Sequence, residues 1–96
     1  MINNVLLVGR IVKLKEIDKT IMLAIPKSIR NKEGIYETDF IDVYLEGNLS
    51  KSVFTFCKKG DVIGIKGYLD SQDKELKVMA VQVSYIAQGK GDDLSV

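Results

Sequence analysis

The sequence predicts an all-β fold, a five-stranded Greek-key barrel with one short helix between its third and fourth strands. Three observations predict it. Five stretches read with the two-residue period of a strand, and a single stretch repeats its apolar residues every three to four positions. Turn residues separate them: Pro26, Gly34, Gly60 and the polar run Ser71 to Glu75.

The first strand, "NNVLLVGRIVKL" (Asn3 to Leu14), is apolar on both faces, with Leu6, Val8 and Val12 on one and Val5, Leu7 and Ile11 on the other. A strand of this kind is normally covered twice, by its own core and by a second surface. The second, "TIMLAIP", points Ile21, Leu23 and Ile25 inward and Thr20, Met22 and Ala24 outward, and Pro26 ends its pairing. A polar loop carries Lys27, Arg30 and Lys32, with Gly34 at its turn. In "ETDFIDVYLEG" (Glu37 to Gly47), Ile41, Val43 and Leu45 form the inner row, and Phe40, Asp42, Tyr44 and Glu46 form the outer one. Leu49, Val53, Phe56 and Cys57 then make the stripe of an amphipathic helix, with Asn48 as N-cap, Lys58 and Lys59 at its negative end and Gly60 as the C′ residue. "DVIGIKGYLD" returns to period two, with Ile63, Ile65 and Leu69 inward and Val62, Lys66 and Tyr68 outward. After the turn comes the last strand, "LKVMAVQVSYIA". Residues 1–87 are expected to form the domain and 88–96 a flexible C-terminal tail. Strands with one helix between the third and fourth are the layout of an OB-fold barrel.

Composition narrows the function classes. A chain of 96 residues with 46% hydrophobic and 28% charged residues describes one folded domain. No apolar run approaches the ~20 residues of a membrane span, and no signal-peptide pattern opens the chain. Cys57 is the single cysteine, which fits a reducing cytoplasm. The net charge of +1 advertises no global field, so a polyanionic partner must be held by a local patch. With no histidine and no carboxylate pair at ligand spacing, the sequence predicts no metal, no cofactor and no enzymatic activity.

Rings held toward solvent beside cations suit unpaired nucleic acid. Base–aromatic stacking contributes roughly 1–3 kcal/mol per base and tolerates any sequence. The candidate binding set is Phe40, Tyr44 and Tyr68 for bases, with Arg10, Lys27, Arg30, Lys66, Lys74 and Lys77 for phosphates. Asp42 and Glu46 stand against it, because carboxylates beside a phosphate track oppose binding. The outer face of the first strand, Asn4, Leu6, Val8, Arg10 and Val12, is the candidate homo-oligomer interface.

Three motifs carry a family resemblance. "MINNVLLVGRIVK", "ETDFIDV" and "LSKSVFTFCKKGDVIGIKGYL" are similar, in order and in register from Met1 to about Ile86, to the bacterial single-stranded DNA-binding proteins. The resemblance implies an OB fold, a homo-oligomer (dimer or tetramer) and sequence-tolerant coating of single-stranded DNA in replication, recombination or repair. It places Phe40 at a base-stacking position. Ile29 and Glu46 occupy two further aromatic positions of the family, and a fourth falls at Gln72 to Lys74, where no ring exists. The hairpin from Asp70 to Lys77 is shorter than the family's reaching arm. "DDLSV" lacks the Pro-Phe ending with which the family recruits replication proteins, and is read as a tail only. The alternative function is an OB scaffold that docks another protein, with DNA binding weak or lost.

Overall fold

The structure, a computed structural model, describes residues 1–89. Five strands, β1 (Val5–Lys15), β2 (Thr20–Pro26), β3 (Thr38–Leu45), β4 (Val62–Gln72) and β5 (Glu75–Ala87), close in the order β1-β2-β3-β5-β4. Helix α1 (Gly47–Phe56) lies between β3 and β4, which completes the OB-fold barrel. Neighbouring strands are antiparallel except β3 and β5, which pair in parallel from Val43↔Val78 to Leu45↔Ala80.

The inner rows build the core as period two requires. Ile11, Ile21, Leu23, Val43, Leu45, Ile63, Ile65 and Ala80 are buried in one cluster with Val53 and Cys57. Each large aliphatic contributes about 1.5–3 kcal/mol relative to exposure. The ladder slips at Val12 in β1 and at Val81 and Ile86 in β5, where one extra residue faces its partner. Such bulges add twist and bend a strand, which closing a five-stranded sheet needs. The β4–β5 crossing is tightest at Gly67, where a Cβ would collide with the Met79 carbonyl oxygen. Among the described residues no helix is long and apolar enough to cross a membrane.

Several local expectations are corrected. The helix starts at Gly47, with Glu46 at the N-cap making no side-chain bond, so Asn48 lies within the first turn. Its end is Cys57, whose N–H donates to the Val53 carbonyl at 2.8 Å, and Gly60 belongs to the next turn at φ +96°. Lys58 and Lys59 therefore follow the helix. Its buried face runs through Ser50 and Val53, which leaves Phe56 about a quarter-turn off it and 72% exposed. Leu69 is 41% exposed rather than inward-packed, because β4 and β5 run on past the barrel wall as a projecting hairpin. Thr20 points outward yet is buried, lying between Lys15 and Tyr44 in register and donating its hydroxyl to the Asp18 carbonyl. The hairpin turn narrows to Asp73 and Lys74, both at positive φ, as a two-residue I′ turn requires. Gln88 and Gly89 follow β5, with the Gly89 N–H donating to Asp61 at 2.6 Å; the rest of the expected tail lies outside the described residues.

Candidate nucleic-acid interface

Strand β3 supplies the site because its outer row alternates with the core row. Phe40, Asp42 and Tyr44 stand opposite Ala24, Met22 and Thr20 of β2. Small Ala24 leaves the Phe40 ring open, and Phe40 is 62% exposed. At the other edge of β3, Tyr44 pairs with Met79 of β5, which pairs with Tyr68 of β4. Tyr44, Met79 and Tyr68 therefore form one row across three strands.

Polar groups fix this row. Lys77 holds its ammonium 5.0 Å from the centre of the Tyr44 ring, a cation–π contact. The Tyr68 hydroxyl donates to Glu46 Oε1 at 3.2 Å. Partial desolvation, reinforced by the Glu46 charge, raises the Tyr68 pKa above the ordinary phenol value. The connection from β2 to β3 is a built hairpin rather than a loose loop. The Asn31 side chain accepts from the Glu33 and Ile35 N–H groups, and the Lys27 N–H donates to the Glu37 carbonyl. Within it Lys27 pairs with Asp39 at 2.6 Å, which raises the lysine pKa through that hydrogen bond. Arg30 lies over the Tyr36 ring at 5.1 Å.

The expected site residues thus fall into three groups. Phe40, Tyr44, Tyr68 and Lys77 share one surface. Lys27 and Arg30 belong to the hairpin beside it, and Lys74 occupies the exposed tip of the β4–β5 hairpin. Lys66 precedes Tyr68 by two residues on β4, opposite Leu6 of β1 and Gln82 of β5, so it also borders the outer face of β1; the bulge at Val81 lies across from it in β5. Arg10 turns away, its guanidinium donating to the Gly60 carbonyl at 2.6 Å.

Tyr36, 52% exposed with Arg30 stacked on it, is a further ring that sequence reasoning missed. Its only signal was its place four residues before Phe40. A second outward surface is the expected β1 face. Leu6 is 75% and Val8 58% exposed, and they border a shallow cleft with Gly64, Lys66, Gln82 and Ile86. Asn4 lies exposed before β1, while Val12 sits half-buried at a bulge.

An open ring, a second ring under a cation and further cations at the margin can stack planar groups and neutralise phosphates. Comparisons with known proteins bear on that chemistry. No family model matches the chain. A protein named single-stranded DNA-binding protein 1 from Clostridium acetobutylicum is 34% identical over 76 residues, covering 70% of this chain and 69% of that protein. The single-stranded DNA-binding protein of Streptococcus mutans is 31% identical over 83 residues, 78% of this chain, and the match spans only 51% of its length. Among solved structures, a Plasmodium falciparum single-stranded DNA-binding protein in complex with single-stranded DNA is similar with a TM-score of 0.70 at 15% identity. That likeness covers 90% of this chain and 96% of that one, and it bears on the fold.

Proposed function

The chain belongs to the single-stranded DNA-binding protein family, and on that premise we propose that it binds and coats single-stranded DNA without catalysing a reaction. The observation that carries the reading is the outer row of β3, with Phe40 open to solvent and Tyr44 beneath the Lys77 ammonium. A base stacked on Phe40 needs no rearrangement. A base on Tyr44 displaces Lys77, whose ammonium is then free to meet the adjoining phosphate. Lys27, Arg30 and Lys74 extend the cationic margin. The protein acts in the cytoplasm, in replication, recombination or repair, as a dimer or tetramer joined through the Leu6 and Val8 face.

A second reading has its own observation. Asp42 and Glu46 lie on the same surface as the rings, and carboxylates suit a basic protein partner better than a phosphate chain. Fluorescence polarisation with labelled oligo-dT at two salt concentrations, against duplex of the same length, decides between them. Preference for the single strand supports stacking on unpaired bases. Equal affinity for duplex points to bulk charge attraction, and no binding favours the docking scaffold.

A further inference from the structure

Strands β4 and β5 leave the barrel wall together, and the row at which they leave it is held on both sides. Leu69 pairs with Val78, and Val78 pairs with Val43 of β3. On the far side β1 has already ended, its pairing with β4 stopping at Val5↔Gly67. Extending that antiparallel register by two residues brings Asn3 opposite Leu69. No strand forms there. Instead the Asn3 side chain makes both bonds of a strand pair. Its Nδ2 donates to the Leu69 carbonyl at 2.8 Å, and its Oδ1 accepts from the Leu69 N–H at 2.9 Å. A side-chain amide carries the donor and acceptor of a peptide unit, so one residue closes the row as a strand would. Among the described residues these are the only hydrogen bonds that reach residues 69–76 from outside the β4–β5 hairpin.

The row matters because of what begins one step beyond it. The next pair after Leu69↔Val78 is Asp70↔Lys77, and Lys77 holds its ammonium 5.0 Å from the centre of the Tyr44 ring. Lys74 follows at the hairpin tip. A two-stranded ribbon is marginally stable by itself and twists more than a sheet does, so its direction depends on how its base is held. Val43 holds the β5 side of that base, and Asn3 holds the β4 side. Tyr68 has an anchor of its own in Glu46. We propose that Asn3 is a positioning residue of the nucleic-acid interface. Standing in for a strand beside Leu69, it sets the direction of the hairpin and keeps Lys77 and Lys74 along the outer row of β3. The inference rests on the single-strand reading above and concerns residues that touch no base themselves.

The test is Asn3→Ala, read by amide exchange and by titration with labelled oligo-dT. Asn3 is exposed and lies outside the core rows, so the variant should melt close to wild type. The Leu69 N–H should lose protection by about two- to tenfold, the share of one hydrogen bond. Affinity for oligo-dT should fall by a similar factor, and the slope of log K against log salt should flatten by roughly 0.7, one phosphate contact. The affinity loss should vanish in a Lys74→Ala/Lys77→Ala protein, where the hairpin has no cation left to position, and persist in a Phe40→Ala protein. A role in folding alone would cost the same affinity in both backgrounds. Such an equal loss, an Asn3→Ala protein that binds oligo-dT as wild type does, or a Leu69 N–H that keeps its protection would each overturn the inference while leaving single-strand binding in place. A wild type that binds no oligo-dT would overturn both.

Discussion

The outer faces of β3 and β1 expose apolar side chains to similar fractional extents and invite different partners. Phe40 on β3 is 62% exposed, and Leu6 and Val8 on β1 are 75% and 58% exposed. On β3 the apolar groups are rings, separated by Asp42 and bordered by Lys77. On β1 they are aliphatic, and the nearest charges, Arg10 and Lys66, stand at the margins. An aliphatic side chain gains only from losing contact with water, so it wants a broad dry surface. A ring also offers a π face to a planar, partly wet ligand, and a cation beside it can follow the ligand's charge. Exposure alone does not distinguish the two surfaces; the shape of the apolar group and the charges around it do.

The largest effect should come from charging the β1 face. Leu6→Asp removes roughly 1.5–3 kcal/mol of burial on each side of a symmetric interface and adds a carboxylate that must be desolvated. Light scattering should show an oligomer for wild type at micromolar concentration and a monomer for the variant. A monomeric wild type would remove the role of this face.

Next in size is a contrast between two glycines of β4. Gly67, under the aromatic row, has no room for a methyl group because the obstacle is Met79 backbone, so Gly67→Ala should lose ~1–3 kcal/mol or more in urea unfolding. Gly64, beside the β1 face, meets nothing closer than the flexible end of Ile86 at 3.4 Å. Gly64→Ala should cost well under 1 kcal/mol. Equal costs would mean that the β4–β5 crossing is looser than described.

The two faces should also separate in salt dependence. Each phosphate neutralised contributes about −0.7 to the slope of log K against log salt for single strands, so ~3–5 contacts give about −2 to −4 per barrel. Lys77→Glu should flatten that slope by about one unit, and Lys66→Glu, on the β1 side, by less. Equal flattening would show that the strand runs over both surfaces.

The smallest effect is expected at Tyr68. Its folded-state pKa is raised, so the neutral phenol is favoured in the fold; the stabilisation is complete below the unfolded value of 10 and lost as pH rises through the folded value. Lys27, also raised, loses its contribution over the same alkaline window. The informative quantity is the difference between wild type and Tyr68→Phe. Wild type should melt slightly above Tyr68→Phe near neutrality, and the two melting curves should converge as pH rises above 10. A gap that persists there would mean the hydroxyl bond to Glu46 is not its source.

The inner rows were legible because burial writes period two directly into Ile21, Leu23, Ile41, Val43, Leu45, Ile63 and Ile65. The helix between β3 and β4 was legible for the same reason at a longer period. What the pattern could not show depends on a third dimension. Alternation places Lys66 and Tyr68 on one side of β4, but only the closed barrel reveals that Lys66 lies between Leu6 of β1 and Gln82 of β5, while Tyr68 lies past the end of the β1 pairing, opposite Met79. Leu69 keeps the inward parity and still meets solvent, since parity says nothing about where the barrel wall ends. Phe56 was misread because a stripe of four residues does not fix the centre of a helix face. The contacts of Lys77 with Tyr44 and of Arg30 with Tyr36 join residues on different elements or across a turn, and no periodicity reports those.

The central claim, that the outer row of β3 stacks bases, is tested most directly by Phe40→Ala, titrated with labelled oligo-dT and melted in parallel. The substitution leaves Ile41, Val43 and Leu45 in place and removes a ring that is mostly solvated. Affinity should fall by roughly 1–3 kcal/mol, about five- to 150-fold, with a melting curve close to that of wild type. A variant that binds oligo-dT as tightly as wild type, or one that loses affinity only together with the ~3–5 kcal/mol of stability expected for a buried Phe, would contradict the account.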